Sequence, residues 1–489
     1  VTGRTAVSRT AEGTFFGQPR GLATLFFTEM WERFSYYGMR AILALYLYSA
    51  VADGGLGVPQ SSALSLVSVY GASVYMASLP GGWVADRLLG ARRSVLYGGV
   101  LIMSGHFTLA VPGILTVYAG LLLIVLGTGL LKPNISEIVG ELYGDDDPRR
   151  DAGFSIFYMG INLGALLAPL VCGYLGQRVD WHLGFAAAGV GMAAGLLQYG
   201  RGSRWLRDAG MLPSNPLPSA ERRRVLGRIA AVAAVGVALL LGLAAGGVLT
   251  ADRAVNAISV LSVLLPAAYF TVMLRGPRVT PEERSRVWAY LPLFAAATLF
   301  WMIFEQASTV LTVFADQKTR TSVLGIGFPS SWYQSVNPVA ILVLAPVFAG
   351  LWVRLGRRQP STPRKFAVAM VVIGASFFLL VAAGGAAGRV SPLWLLGVYV
   401  VQTVAELLLS PVGLSVTTKL APAAFKSQTV GLWFLAAAAG QGIGAQVVTL
   451  YGRVPDTVYF GTVGATAVAA AGLLYLLAPR LETLMRGIR

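Results

Sequence analysis

Cysteine and histidine are nearly absent from this chain. Cys172 is the single cysteine and His106 and His182 the only histidines in 489 residues. One thiol excludes a disulfide framework and a thiolate metal site, and no metal or cofactor is expected. Charge is also scarce, at 12% of residues against about 25% in a typical soluble domain. There is no GxxxxGK[ST] loop, which excludes ATP as the driving force. There is no HExxH, no GxSxG and no aspartate pair within the apolar runs, which argues against an intramembrane enzyme.

What the chain has in quantity is apolar sequence. Hydrophobic residues make up 55% of it. Runs of about 20 apolar residues, enough to span a bilayer as a helix, recur fourteen times, near 21–50, 62–85, 94–111, 114–136, 151–176, 183–199, 225–248, 254–274, 287–314, 333–353, 366–387, 391–412, 427–450 and 457–479. Glycine is frequent within them, as close helix packing in lipid requires. The predicted class is an all-α polytopic membrane protein with 14 transmembrane helices.

Basic residues set the predicted orientation. With an even number of spans and the N-terminus inside, 29 of the 38 Lys and Arg fall in cytoplasmic segments. Among them are Arg87, Arg92, Arg93, Arg222–Arg224, Arg354, Arg357 and Arg358. Six lie outside: Arg178, Arg253, Lys318, Arg320, Arg389 and Arg453. This is the positive-inside asymmetry. Loop arginines beside anionic lipid account for the net charge of +16 without nucleic acid. The first thirteen residues, polar and weakly basic, read as a cytoplasmic tail with no cleavable signal pattern. His182 is expected to be solvated in a short external loop. His106, in or near the third span, is expected to be a hydrogen-bonded packing residue rather than a proton relay.

The chain reads as two related halves. GWVADRLLGARR (82–93) and GLWVRLGRR (350–358) both run from a glycine through an apolar turn into a basic loop. FTEMWE (27–32) and FWMIFE (300–305) both place a glutamate five residues after a phenylalanine. Glu32 and Glu305 are 273 residues apart, and Lys132 and Glu406 are 274 apart. Residues 201–228 are polar and Pro-rich, a cytoplasmic linker, and the next two spans read as lipid-facing spacers. The predicted division is an N-terminal six-helix bundle (1–200), a linker with two inserted helices (201–286) and a C-terminal six-helix bundle (287–489). Internal halves with charges on facing helices are the layout of a secondary transporter.

Charge within a span is costly, and such residues normally pair and face the bundle interior. Seven occur here: Glu29, Glu32, Arg33, Arg40, Lys132, Glu305 and Glu406. At 100° per residue, Glu29, Glu32, Arg33, Tyr36, Tyr37 and Arg40 share an arc of roughly 140°. Glu29 precedes Arg33 by four, the favourable order for a helical ion pair. Four acids and three bases leave one carboxylate without a cation, the natural proton acceptor. A zwitterionic substrate could then enter, its carboxylate on Arg or Lys and its ammonium on Glu.

The ExxERFxYYG stretch, Glu29 to Gly38, resembles the hallmark of the proton-dependent oligopeptide transporters of the major facilitator superfamily. GTGLLKPNIS (127–136), FSIFYMGINLGALLAP (154–169), FWMIFEQ (300–306), NPVAILVLAP (337–346), AELLLSPVGLS (405–415) and GLWFLA (431–436) resemble further blocks of that family in the same order. The resemblance implies the superfamily fold of two six-helix bundles, with two inserted helices as in bacterial members. It implies proton-coupled import of di- and tripeptides by alternating access, without a cofactor, in the bacterial cytoplasmic (inner) membrane, with both termini cytoplasmic. Peptides, protons and membrane lipid are the implied partners, nucleic acid is not, and a monomer is expected.

By that resemblance Glu29, Glu32, Arg33 and Glu305 carry proton coupling. Arg40 and Glu305 close an outer gate, and Lys132 and Glu406 pair at the inner side. Arg40 and Lys132 meet the peptide carboxylate, while Glu406, Asn162 and Asn337 meet its amino group. Tyr36, Tyr37 and Tyr75 line the pocket, and Trp301, Trp433 and Phe434 form side-chain pockets, with interfacial anchoring the other reading of Trp433. Asp86, Arg87, Arg92 and Arg93 resemble the superfamily's loop motif, which holds the cytoplasmic halves together in one state. Ser68 stands where animal members carry a histidine, and Ala437 where a small polar residue is expected. Relatives of the family move nitrate and other small solutes, so transport of nitrate or of peptide-like drugs is the alternative within the class. A nutrient receptor that does not transport is the remaining one.

Overall fold

In lipid every backbone N–H and C=O must be satisfied within the chain, so apolar runs of this length fold as helices. The computed structural model, which describes residues 14–144, 147–247 and 250–488, contains α1 (Arg20–Tyr48), α2 (Gln60–Val84), α3 (Ala91–Leu109), α4 (Ile114–Glu141), α5 (Arg150–Arg178), α6 (Trp181–Gly202), α7 (Ser219–Ala245), α8 (Ala251–Arg275), α9 (Pro281–Phe304), α10 (Val310–Gln317), α11 (Val336–Leu355), α12 (Thr362–Gly384), α13 (Pro392–Leu420), α14 (Lys426–Val447) and α15 (Asp456–Leu484). The expected N-terminal tail, residues 1–13, and the side chain of Arg357 lie outside the described residues.

With α9 and α10 counted as one interrupted span, these are fourteen membrane-length helices. Eleven are long and apolar enough to cross a membrane by length and composition. Neither α1, interrupted by Glu29, Glu32, Arg33 and Arg40, nor α3, which opens on Arg92 and Arg93, is among the eleven. Helix starts follow the local sequence. Asp180 caps α6, its carboxylate accepting the His182 and Leu183 N–H groups. Thr280 and Glu283 form a reciprocal capping box at α9, satisfying two amides that the helix itself leaves open. A short antiparallel pair, β1 (Ser322–Val323) and β2 (Ile326–Gly327), lies between α10 and α11.

Helices α1 to α6 pack mainly on one another: α1 against α5 and α6, α3 against α4 and α6, α2 against α4. Helices α9 to α15 form a second group, with α12 against α13 and α15 and α9 against α14 and α15. The groups meet where α2 lies along α14 and where α5 meets α11 and residues 330–335. Helices α2 and α4 approach through glycine: a Cβ on Gly81 would overlap the Gly129 carbonyl.

Residues 203–218, which join α6 to α7, lie against the α2–α3 turn and define a linker side of the bundle; the opposite face is the far side. All hydrogen bonds and ion pairs among the described residues that join α1–α6 to α9–α15 lie toward the far side. Tyr48 donates to Asp316 (2.8 Å), Gln177 donates to Ser330 (2.8 Å) and accepts from the Ser331 amide (3.0 Å), and Gln317 donates to Gln60 (3.1 Å). Trp332 and Ser335 donate to the carbonyls of Leu170 and Leu166, and Ser65 to that of Ala445. No such bond joins the two groups at the linker side.

Two spans differ from expectation. The span expected as continuous over 287–314 is broken: α9 stops at Phe304, Glu305–Ser308 is a 3₁₀ turn, and Thr309 leaves helical geometry before α10. Of the two expected lipid-facing spacers, α7 is largely exposed and fits. Helix α8 fits on its outer face only, because its other face packs on both α14 and α2. Ser259 and Ser262 are buried there, and Gln446 donates to Asn256 (2.9 Å) and Ser259 (3.2 Å). Hydropathy could not separate the two helices, since small serines carry little weight in it yet permit close packing.

Candidate functional site

The site begins on α1. Glu29, Glu32, Arg33, Tyr36 and Arg40 are all at most 5% exposed, so the charged stripe faces the interior. The Arg33 Nε lies 3.0 Å from Glu29 and 2.5 Å from Glu32. One guanidinium therefore serves two carboxylates. Arg40, two turns on, donates to Glu305 (2.8 Å), to the Ser308 hydroxyl (2.6 Å) and to the Tyr36 hydroxyl (3.3 Å). The Arg40–Glu305 pair joins the two groups of helices. The Tyr36 ring stands between the guanidinia of Arg33 and Arg40, each 5.4 Å from its centroid, and Tyr37 meets it edge-on at 5.2 Å.

The break in α9 explains how Glu305 reaches Arg40. A 3₁₀ turn brings residues three apart onto one face, which sets Glu305 and Ser308 side by side as the two acceptors. Lys132, in α4, does not meet Glu406. Its Nζ lies 4.1 Å over the Tyr75 ring and 5.8 Å from that of Phe434, and those two rings stack at 6.4 Å. Glu406, in α13, accepts instead from Asn337 (3.1 Å), which also donates to Thr403 (2.9 Å). The expected Lys132–Glu406 pair is thus absent from this structure, and the expected Arg40–Glu305 pair is present. The cross-bonds between the two groups lie toward the far side, where Arg40 and Glu305 meet, and none is made at the linker side among the described residues.

The arrangement has a charged wall on α1, a cation held by aromatic faces on α4 and a carboxylate held by an amide on α13. The sequence pattern that describes the POT family matches residues 92–465. The chain belongs to the POT family. It is 44% identical over 492 residues to the di-/tripeptide transporter of Lactococcus lactis subsp. cremoris, covering 98% of this chain and 99% of that one. A solved peptide transporter POT in complex with sulfate superposes with a TM-score of 0.94 at 51% identity, covering 97% of this chain and 98% of its own. A POT family transporter in complex with a thioalcohol-conjugated peptide superposes with a TM-score of 0.91 at 42% identity, over 96% and 98%. This chain is therefore an integral membrane transporter of the major facilitator fold, and not an enzyme.

The other expected site residues of this POT-family chain are placed as follows. Asn162 is buried on α5 and donates to the Tyr158 carbonyl (3.0 Å). Trp301 is partly buried and meets Phe300 and Phe304 edge-on. Trp433 is 5% exposed, its ring lying on Gly413 of α13; it packs two helices together rather than anchoring at a membrane interface. Ala437 is buried at 3% exposure. Ser68 donates back to the Leu64 carbonyl (3.0 Å) and has no hydrogen bond to the charged set among the described residues.

The loop motif is engaged on its own half. Arg92 donates to the carbonyls of Arg207 (2.6 Å) and Ser203 (2.8 Å), and Asp86 accepts from Ser214 (3.0 Å). Gly90 sits at φ +79°, and a Cβ there would lie 2.8 Å from the Met211 carbonyl, so glycine is needed for both the turn and the crossing linker. Arg87 and Arg93 have no ion pair among the described residues.

Both histidines differ from expectation. His182 is not merely solvated: its Nε2 is 3.2 Å from the Tyr46 hydroxyl and its Nδ1 3.3 Å from Asp180. His106 is fully buried, and neither ring nitrogen has a hydrogen-bond partner, so it is not the hydrogen-bonded packing residue expected. Sequence reasoning missed Ser308, Thr403 and Tyr158. Each is a neutral residue beside a charged one, and hydropathy and charge counting give such residues no signal.

Proposed function

We propose that this chain is a proton-coupled symporter that imports di- and tripeptides by alternating access, here with the outer gate shut. The observation that carries the reading is the uneven sharing of buried charge. Arg40 has Glu305, while Lys132 and Glu406 have no ion-pair partner among the described residues. Arg33 faces two glutamates. Four carboxylates face three bases, and Glu29 and Glu32 are the pair that share one guanidinium; a proton placed there makes the interior neutral.

In this reading the linker side is cytoplasmic, both termini are cytoplasmic, and the membrane is the bacterial cytoplasmic one, in keeping with the basic linker and loops. Residues 1–200 and 287–489 are the two bundles that rock, with 201–286 as linker and inserted helices, and the unit is a monomer surrounded by lipid. Glu29, Glu32 and Arg33 carry the proton, and Glu305 passes its effect to Arg40. The peptide carboxylate sits between Arg40 and Lys132, and the ammonium at Glu406 with Asn337 and Asn162. Tyr36, Tyr37, Tyr75, Trp301, Phe434 and the exposed remnant of Trp433 bound the side chains. Arginine grips a carboxylate with two parallel bonds, whereas lysine is a point charge that can change partners. The names of the Lactococcus relative and of the peptide-bound structure support peptide as the cargo.

The test is uptake of labelled dialanine into liposomes with an inward proton gradient. Accumulation that collapses with a protonophore supports the reading. Folded protein with no uptake overturns the cargo assignment, and the same vesicles offered nitrate and peptide-like drugs then separate the alternatives.

A further inference from the structure

Behind the charged wall, on the bilayer-facing side of α1, lies a groove of about 580 Å³ between α1, α5 and α6. Its floor is Met30, Trp31 and Phe34 of α1. Its walls are apolar side chains and glycine from α5 and α6, among them Leu167, Val171, Leu183 and Val190, each between 39% and 60% exposed. No charged or hydrogen-bonding side chain other than the Trp31 indole contributes to it.

We propose that this groove seats one acyl chain of a phospholipid from the far-side leaflet, with the phosphate at Arg178. Two dimensions fix the occupant. On α5 the groove runs from Gly164 to Leu175, about 16 Å of helix at 1.5 Å per residue. One leaflet supplies about half of the ~30 Å hydrocarbon thickness, so the groove is one chain deep and ends where α5 and α6 leave the membrane. The second is a stripe. Gly164, Leu167, Val171 and Leu175 follow at steps of three and four, and the next residue in that series is Arg178. Its side chain is exposed, its guanidinium resting near Gly327 of the hairpin, and it makes no hydrogen bond or ion pair among the described residues. A cation one turn beyond an apolar slot one leaflet deep is complementary to a phosphodiester with a hydrocarbon tail, and to neither a peptide nor a free phosphate.

Trp31 reports on the slot directly. The full-length protein is placed in bilayers containing chain-brominated phosphatidylglycerol or phosphatidylcholine at increasing mole fraction. Quenching due to Trp31 is the difference between the native protein and Trp31→Phe, which removes one of ten tryptophans. A seated chain with its headgroup on Arg178 reaches half-quenching at a mole fraction of the anionic lipid about fivefold lower, the ratio for about 1 kcal/mol per basic residue at a membrane surface. Arg178→Gln should bring the two curves together. Ala187→Phe, which fills the groove from α6, should remove most Trp31 quenching by either lipid. Identical curves for the two headgroups in the native protein, or undiminished Trp31 quenching in a folded Ala187→Phe protein, would overturn the proposal. Arg178 lies on the exposed end of α5, so its variant stays informative if the groove-filling one does not fold.

Discussion

Glu29 and Glu32 compete for a single guanidinium, and this gives a prediction with two opposite parts. Replacing either glutamate with glutamine leaves Arg33 with one carboxylate. Glu32→Gln keeps the 3.0 Å contact to Glu29, and Glu29→Gln keeps the contact to Glu32. Each single variant removes the surplus negative charge and leaves a neutral buried pair. Each should fold, exchange labelled dialanine for unlabelled, and fail to accumulate it. With one proton per peptide, an inward gradient of about one pH unit is worth about 1.4 kcal/mol, or an accumulation of about tenfold. That ratio should fall to about one in both single variants. The double variant leaves Arg33 4% exposed with no carboxylate, and an uncompensated buried charge costs about 3–5 kcal/mol. It should therefore melt well below either single variant in detergent, where the singles melt near the native protein. The assays are accumulation and counterflow in liposomes, and thermal unfolding of the purified proteins. Gradient-driven accumulation near tenfold in Glu32→Gln, or a double variant as stable as the singles, would refute the sharing of Arg33.

Other residues give sharper single outcomes. Glu305→Gln should loosen the far-side seal: Ser330→Cys, placed in that background, should react with an impermeant thiol reagent about tenfold faster or more, the loss of a charged hydrogen bond being worth about 1.5–3 kcal/mol. The native thiol, Cys172, is fully buried and contributes no background. Lys132→Gln should raise the half-saturating concentration of dialanine by about 30-fold or more, as expected for loss of one partner of a buried charged contact. Glu406→Gln should narrow the preference for dialanine over N-acetyl-dialanine, since only the free amine uses that carboxylate; an unchanged ratio in transport competition places the ammonium elsewhere. Gly164→Ala puts a Cβ into the Met30 carbonyl and should lower thermal stability, with overpacking worth about 1–3 kcal/mol.

Much of this was legible in the sequence because membrane physics leaves few choices. Fourteen apolar runs became fourteen helical spans, most with ends within a few residues, since lipid permits no other backbone arrangement. The α1 stripe was legible because 100° per residue fixes which side chains share a face. The break between α9 and α10 was not, because Glu305, Gln306 and Ser308 look no different on a continuous helix; the turn is tied to Arg40 on another helix, which Glu305 and Ser308 both meet. Helix α8 was misread for a related reason, as its contacts to α14 run through serine, asparagine and glutamine. The missing Lys132–Glu406 contact has another cause. Under the proposed alternating access the two gate pairs form in different conformations, so a single conformation shows only one of them.

That last point orders the substrate contacts. In this state the Arg40 guanidinium is occupied by Glu305, Ser308 and Tyr36, and a peptide carboxylate would have to displace a charged partner to reach it. Lys132 has only the faces of Tyr75 and Phe434 and is free to take an anion now. Glu406 is likewise held by a neutral amide alone. In the proposed function, with the far side shut, a bound peptide would be held at its two ends chiefly by Lys132 and Glu406, with Arg40 joining only once Glu305 releases it. In the proposed cycle it would leave toward the linker side first, after which Lys132 and Glu406 would meet, closing that side and freeing Glu305 and Arg40 to part. The same two side chains would thus serve first as substrate ligands and then as the gate, so a substitution that weakens peptide binding at Lys132 should also slow the return of the empty transporter.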